Sequence, residues 1–160
     1  HCVTRRQRQM CIRDRLYVTH DQAEATTLAD KIGVLKEGHL VQIGTPEEIY
    51  ENPNSIYVSQ RLGSPKINIL PGTLLGMDDV PTFGIRPENI TIGNGNHSAK
   101  IISIENLGSE TVVALNFKDQ EILVSIQGNY KSSINETINF DINNEKVLKF
   151  DQEGNRIYER

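Results

Sequence analysis

The hydrophobic period of this chain changes at Ser64-Pro65, and that change constrains the fold more than any other feature. Ahead of it, Ala25, Leu28, Ala29 and Ile32 recur at i, i+3, i+4 and i+7, the spacing of one helix face. Beyond it the helical period disappears. Val113, Leu115 and Phe117 alternate with polar or small residues, as do Ile122, Val124 and Ile126, and again Ile138, Phe140 and Ile142. Turn clusters at Gly93-Asn94-Gly95-Asn96 and Gln127-Gly128-Asn129 separate short strands, so residues 65–160 are expected to form a small barrel or sandwich. Leu74 to Asp79 reads as a strand ending in an acidic turn.

The stretch before the boundary mixes both kinds of element. Leu16, Tyr17 and Val18 suit a buried strand, and Asp21 with Glu24 three places on is a helix-start signature. His20 is thereby placed at the carboxyl end of a strand, where open α/β sheets bind their ligands. Ile32 to Leu35, the turn Lys36-Glu37-Gly38 and Leu40 to Ile43 spell a hairpin. Thr45-Pro46-Glu47-Glu48 supplies an N-cap, a proline at the first helical position and acidic residues after it, predicting a short helix to about Glu51 that Asn52-Pro53 stops. Ser55 caps one more helix, carrying Ile56, Val58 and Leu62 and ending at Gly63.

Composition narrows the class. With 37% hydrophobic and 24% charged residues the chain is that of a globular protein, and no apolar run approaches the roughly 18 residues a membrane span needs. Residues 1–15 hold five arginines and one aspartate, so the remaining 145 residues carry −8 of a total of −4, and an acidic body argues against a nucleic-acid surface. Those first 15 residues show no period and are read as a leader foreign to the rest, artefactual in preference to a basic arm for anionic partners. Cys2 and Cys11 have no CxxC partner and are expected to be reduced, inert thiols. His39 and His97 have no spacing that builds a metal site, and both are expected to be solvated.

Thr19, His20, Asp21, Gln22, Glu24, Ala25, Leu28, Ala29 and Asp30, followed by IGVLKEGHLVQIGTPEEIYENP, give residues 16–64 the pattern T-H-D-Q-x-E-A-x-x-L-A-D and a hairpin. This resembles the switch-histidine region of ATP-binding cassette (ABC) transporter ATPases. The resemblance implies that His20 is the catalytic-site histidine, contacting the γ-phosphate of ATP and helping to hold the attacking water and the facing subunit in register. A neutral imidazole suits this, since one nitrogen donates and the other accepts.

The rest of an ATPase site is not in this sequence. There is no G-x-x-x-x-G-K-[ST] phosphate loop, no LSGGQ-type signature and no Walker B strand ahead of His20. Residues 16–64 are therefore read as the closing part of an ATPase domain, unable to turn over ATP alone; ATP and Mg2+ are expected only in the full-length protein.

In the second half, Gly63-Ser64-Pro65-Lys66-Ile67-Asn68-Ile69-Leu70, Phe83-Gly84-Ile85-Arg86-Pro87-Glu88, Glu105-Asn106-Leu107-Gly108-Ser109-Glu110-Thr111, and Lys149-Phe150-Asp151 with Gly154 resemble successive motifs of the regulatory domain of maltose-type carbohydrate-importing ABC ATPases. The resemblance implies an α/β carboxyl-terminal piece of a P-loop NTPase domain followed by an all-β barrel of the oligonucleotide/oligosaccharide-binding kind, the transport-associated (TOBE) domain. Transmembrane permease subunits, a second copy of the chain and a regulatory protein at the TOBE domain are the implied partners, with a peripheral place on the cytoplasmic face of the cell membrane. From residue types alone, Arg86-Pro87-Glu88 reads as a rigid turn with a surface ion pair worth only ~0.5 kcal/mol. Two functions remain open: the ATP-hydrolysing subunit of an importer of sugars or glycerol-3-phosphate-like solutes, or a non-catalytic regulatory or small-ligand-binding β-module.

Overall fold

The computed structural model describes residues 15–158. The leader, with Cys2 and Cys11, lies almost wholly outside the described residues. The fold is mostly antiparallel β, with three short helices near its start: α1 (Gln22–Leu28), α2 (Pro46–Glu51) and α3 (Ile56–Ser59).

The hairpin forms as its residues require. Strands β1 (Ile32–Lys36) and β2 (His39–Gly44) pair antiparallel, and Glu37 and Gly38 both take positive φ in the turn between them. The Thr45 side chain accepts from the Glu48 amide (3.1 Å) while the Glu48 carboxylate accepts from the Thr45 amide (2.8 Å), a reciprocal cap that starts α2. Ser55 caps α3, which is shorter than its sequence suggests, though Val58 and Leu62 are buried as expected. Ile32, Val34, Ile49, Val58 and Leu62 form one small core.

Two four-stranded sheets follow. The first has the order β10-β9-β4-β3, from β3 (Asn68–Pro71), β4 (Thr82–Ile85), β9 (Leu148–Phe150) and β10 (Arg156–Ile157); the second has the order β7-β6-β5-β8, from β5 (Ile90–Asn106), β6 (Glu110–Phe117), β7 (Gln120–Gln127) and β8 (Thr137–Ile142). Phe83, Ile85, Leu115, Ile122, Val124 and Phe140 fill the main core of this β-domain, and none of them is exposed. Asn68 ties the sheets together. Its amide donates to the Leu123 carbonyl (2.8 Å) and accepts from the Leu123 amide (2.7 Å), so a side chain takes the place of a peptide group beside β7.

Several expectations need correction. Leu16–Val18 is not a strand: Leu16 and Val18 are 96% and 83% exposed, and among the described residues no strand lies beside them to complete a ladder. His20 consequently follows an unpaired segment that belongs to no strand. Every ladder among the described residues is antiparallel, so the parallel sheet of an α/β domain does not appear there. The Leu74–Asp79 stretch is no strand either. β3 pairs with β4 through Pro71 and Thr82, so residues 72–81 must reverse the chain, and they do so with a 3-10 turn at Gly72–Leu75. Gly72 sits so close to the returning chain that a Cβ there would lie 1.8 Å from the Val80 carbonyl oxygen. Gly93–Asn96 forms an excursion within β5, because Ile92 and His97 both register with Phe140 of β8.

Candidate functional site

His20 stands on a short loop whose neighbouring side chains are committed elsewhere. Asp21 caps α1, accepting from the amides of Ala23 (2.7 Å) and Glu24 (3.2 Å). The Thr19 hydroxyl donates to Glu24 Oε2 (2.6 Å) and accepts from the Asp21 amide (3.0 Å). The loop is thus tied on both sides of the histidine. His20 itself is exposed, and among the described residues no hydrogen bond engages its ring. The arrangement leaves both imidazole nitrogens available to a ligand. Among the described residues no group of three or more His, Cys, Asp or Glu side chains is placed to hold a metal ion.

One apolar face of the hairpin is uncovered. Residues opposite each other in a hairpin share a face, and the pairs Leu35↔Leu40 and Gly33↔Ile43 put Leu35, Leu40 and Ile43 on the side away from the small core. They are 58%, 57% and 61% exposed. Leu28, the last residue of α1, is exposed as well, and α1 buries no residue fully.

A second constellation joins the helices to the β-domain, and its centre is Arg86. Arg86 is 4% exposed, its guanidinium donating from Nη1 to the carbonyls of Ser59 (3.1 Å) and Leu62 (2.6 Å) and from Nη2 to that of Tyr50 (2.9 Å). It also lies over the Tyr50 ring at 3.8 Å. The Tyr50 hydroxyl donates to Glu88 Oε1. Burial, followed by that hydrogen bond, pushes the Tyr50 pKa well above its ordinary value, so the phenol stays neutral. Further along the seam, Lys146 pairs with Glu51 at 3.0 Å, and backbone amides of Ile56 and Arg156 donate across to Gly154 and Asn54, each at 2.8 Å.

Arg86-Pro87-Glu88 is therefore not a surface turn with an exposed ion pair. Arg86 is a buried clamp on three carbonyls, and Glu88 faces a tyrosine. The sequence held one sign of this, an arginine closing the apolar run Phe83–Ile85, but its acceptors lie 24 to 36 residues away and no local pattern names them. His97 is half-buried and only partly solvated: its ring meets Phe117 at 5.3 Å and Phe140 at 5.4 Å. His39 is exposed, as expected.

Residues 83–150 match the family model of the TOBE domain. The chain is 34% identical over 171 residues to the sn-glycerol-3-phosphate import ATP-binding protein UgpC of Psychromonas ingrahamii, an alignment covering 90% of this chain and 46% of that protein. It is 30% identical over 169 residues to the alpha-glucoside transport ATP-binding protein AglK of Rhizobium meliloti, covering 87% and 47%. The chain belongs to the ABC transporter ATP-binding proteins of the carbohydrate-import type, as their carboxyl-terminal portion. A third relative, the xylose/arabinose import ATP-binding protein XacK of Haloferax volcanii, is 36% identical over 130 residues, covering 65% of this chain and 34% of its own. The chain spans less than half the length of these curated relatives. In this ABC chain, the TOBE match begins at Phe83 and takes in Arg86, while the carbonyls that Arg86 clamps, at Tyr50, Ser59 and Leu62, lie before it.

Proposed function

We propose that this chain is the closing part of the ATP-hydrolysing subunit of an ABC importer for sugars or glycerol-3-phosphate-like solutes, in which ATP binding and hydrolysis are coupled to transmembrane transport. The observation that carries this reading is His20: an exposed imidazole free of intramolecular hydrogen bonds, on a loop tied by Thr19, Asp21 and Glu24. In the complete subunit His20 contacts the γ-phosphate of ATP, donating from one ring nitrogen and accepting at the other, and so reports whether that phosphate is present.

The residues at hand fit one contact to ATP and not its cradle. ATP supplies the transferable phosphoryl group, and Mg2+ its charge neutralisation, only where the rest of the ATPase domain holds them. The uncovered face of Leu35, Leu40 and Ile43 supports this, because the remainder of that domain would cover it. Permease subunits, a second copy and a regulatory protein at the TOBE domain are the partners of this reading, with the subunit peripheral on the inner face of the membrane. Among the described residues no helix is long and apolar enough to cross a membrane. The relatives' printed names, glycerol-3-phosphate, alpha-glucoside and xylose/arabinose import, favour small polyols and sugars as cargo.

His20→Ala in the full-length subunit is expected to abolish nearly all uptake while leaving ATP binding mostly intact. Wild-type uptake by that variant would reject the role given to His20.

A further inference from the structure

The packed side of α1 is narrow. Ala25 and Ala29 rest on the small core of Ile32, Val34, Ile49, Val58 and Leu62, while Ala23, Thr26, Thr27 and Leu28 of the same helix are exposed. Asp21 and Glu24, at the start of α1, tie the loop that carries His20. The placement of the imidazole therefore follows that of α1, and the placement of α1 follows that of the small core.

The small core is in turn held from the β-domain. Ile49 belongs to α2, Val58 to α3, and Leu62 follows α3. Tyr50 and Ser59 lie in the final turns of these helices, where a carbonyl has no helical amide to accept from. Arg86 supplies both, from Nη2 and Nη1, and Nη1 reaches the Leu62 carbonyl as well, so one side chain of the β-domain closes two helices. Tyr50 belongs to both sides of this arrangement. Its ring packs against the small core and under the guanidinium, and its hydroxyl donates to Glu88, two residues beyond Arg86. The planar fork of the guanidinium fixes α2 relative to α3, which the single nitrogen of a lysine cannot span. Between the clamp and α1 stand Ile49 and Val58, both fully buried, and close-packed side chains pass on a displacement where loose ones would absorb it.

We propose that Arg86 is a positioning residue for His20. By closing α2 and α3 it fixes the small core on which α1 rests, and through α1 it sets the reach of the imidazole toward the γ-phosphate. This rests on the reading of His20 as the γ-phosphate contact. It makes the β-domain part of the geometry of hydrolysis, so that a partner shifting β4 against α2 and α3 changes turnover and not ATP affinity.

The test uses the full-length subunit, with equilibrium ATP binding and the single-turnover hydrolysis rate per bound ATP measured for Arg86→Lys, alone and combined with His20→Gln. Arg86→Lys should slow hydrolysis per bound ATP about tenfold at unchanged Kd for ATP. With His20→Gln already present, the further loss should fall below about twofold, because both changes act through one contact. A merely structural role would lower the amount of ATP bound and leave the rate per bound ATP unchanged. Tyr50→Phe keeps the three carbonyl bonds of Arg86, should show the same split to a smaller extent, and replaces Arg86→Lys if that variant does not bind ATP. An unchanged rate per bound ATP, a loss confined to ATP affinity, or a loss equally large beside His20→Gln would overturn the proposal and leave the role of His20 standing. Wild-type hydrolysis by His20→Gln would reject that role and the proposal with it.

Discussion

The hairpin region and the β-domain are built from the same apolar side chains, yet only one of them closes. In the β-domain two sheets share one core, in which Phe83, Leu115 and Phe140 lose all contact with solvent. In the hairpin region the helices α2 and α3 cover one face, where Ile32, Val34 and Ile49 sit, and nothing among the described residues covers the other. A sheet face becomes a core only when the chain provides a second layer. The region carrying His20 is the one left with an open side, which is what a component of a larger site requires.

The sharpest way to break this contrast is to cut into each side of it. Phe140→Ala in the closed core should cost about 3–5 kcal/mol in urea unfolding, through lost burial and a cavity that its neighbours cannot fill. Arg86→Ala comes next at about 3 kcal/mol, since three carbonyls lose their donor. Hydrogen exchange should then show α2 and α3 opening before the β-sheets; simultaneous opening would mean that the seam is not the link between the two regions. Asn68→Ala should cost about 1–3 kcal/mol, by leaving the Leu123 amide and carbonyl unpaired. The smallest effect belongs to the open face. Leu40→Ser is expected to stay within about 0.5 kcal/mol and to reduce self-association in sedimentation. A loss comparable to that of Phe140→Ala would show that this face is covered after all.

What the sequence disclosed was mostly short-range. The Thr45–Glu48 cap, the Glu37-Gly38 turn and the strands β6, β7 and β8 depend on neighbours within a few positions, and each formed where its residues predict, although β6 buries Thr111 to Leu115 without a break and so does not alternate. The misreadings share the opposite cause. Leu16–Val18 has strand-forming residues but no partner strand, and pairing is not a local property. Leu74–Asp79 looked like a strand because its apolar run gave no hint that Pro71 and Thr82 would pair and force a reversal between them. Arg86 reads as a surface charge because its acceptors come from a different part of the chain, and the half-burial of His97 is hidden because Phe117 and Phe140 reach it only through sheet pairing. The order of residues around His20 names the candidate site, and the Thr19–Glu24 and Asp21 bonds that tie its loop came from the structure.

The central claim is that this chain contributes one phosphate contact to an ATPase site and does not contain that site. Steady-state ATP hydrolysis by the purified 160-residue chain, in the presence of Mg2+, tests it most directly. No turnover above background is predicted, with wild type and His20→Ala indistinguishable; a measurable kcat that disappears in His20→Ala would contradict it.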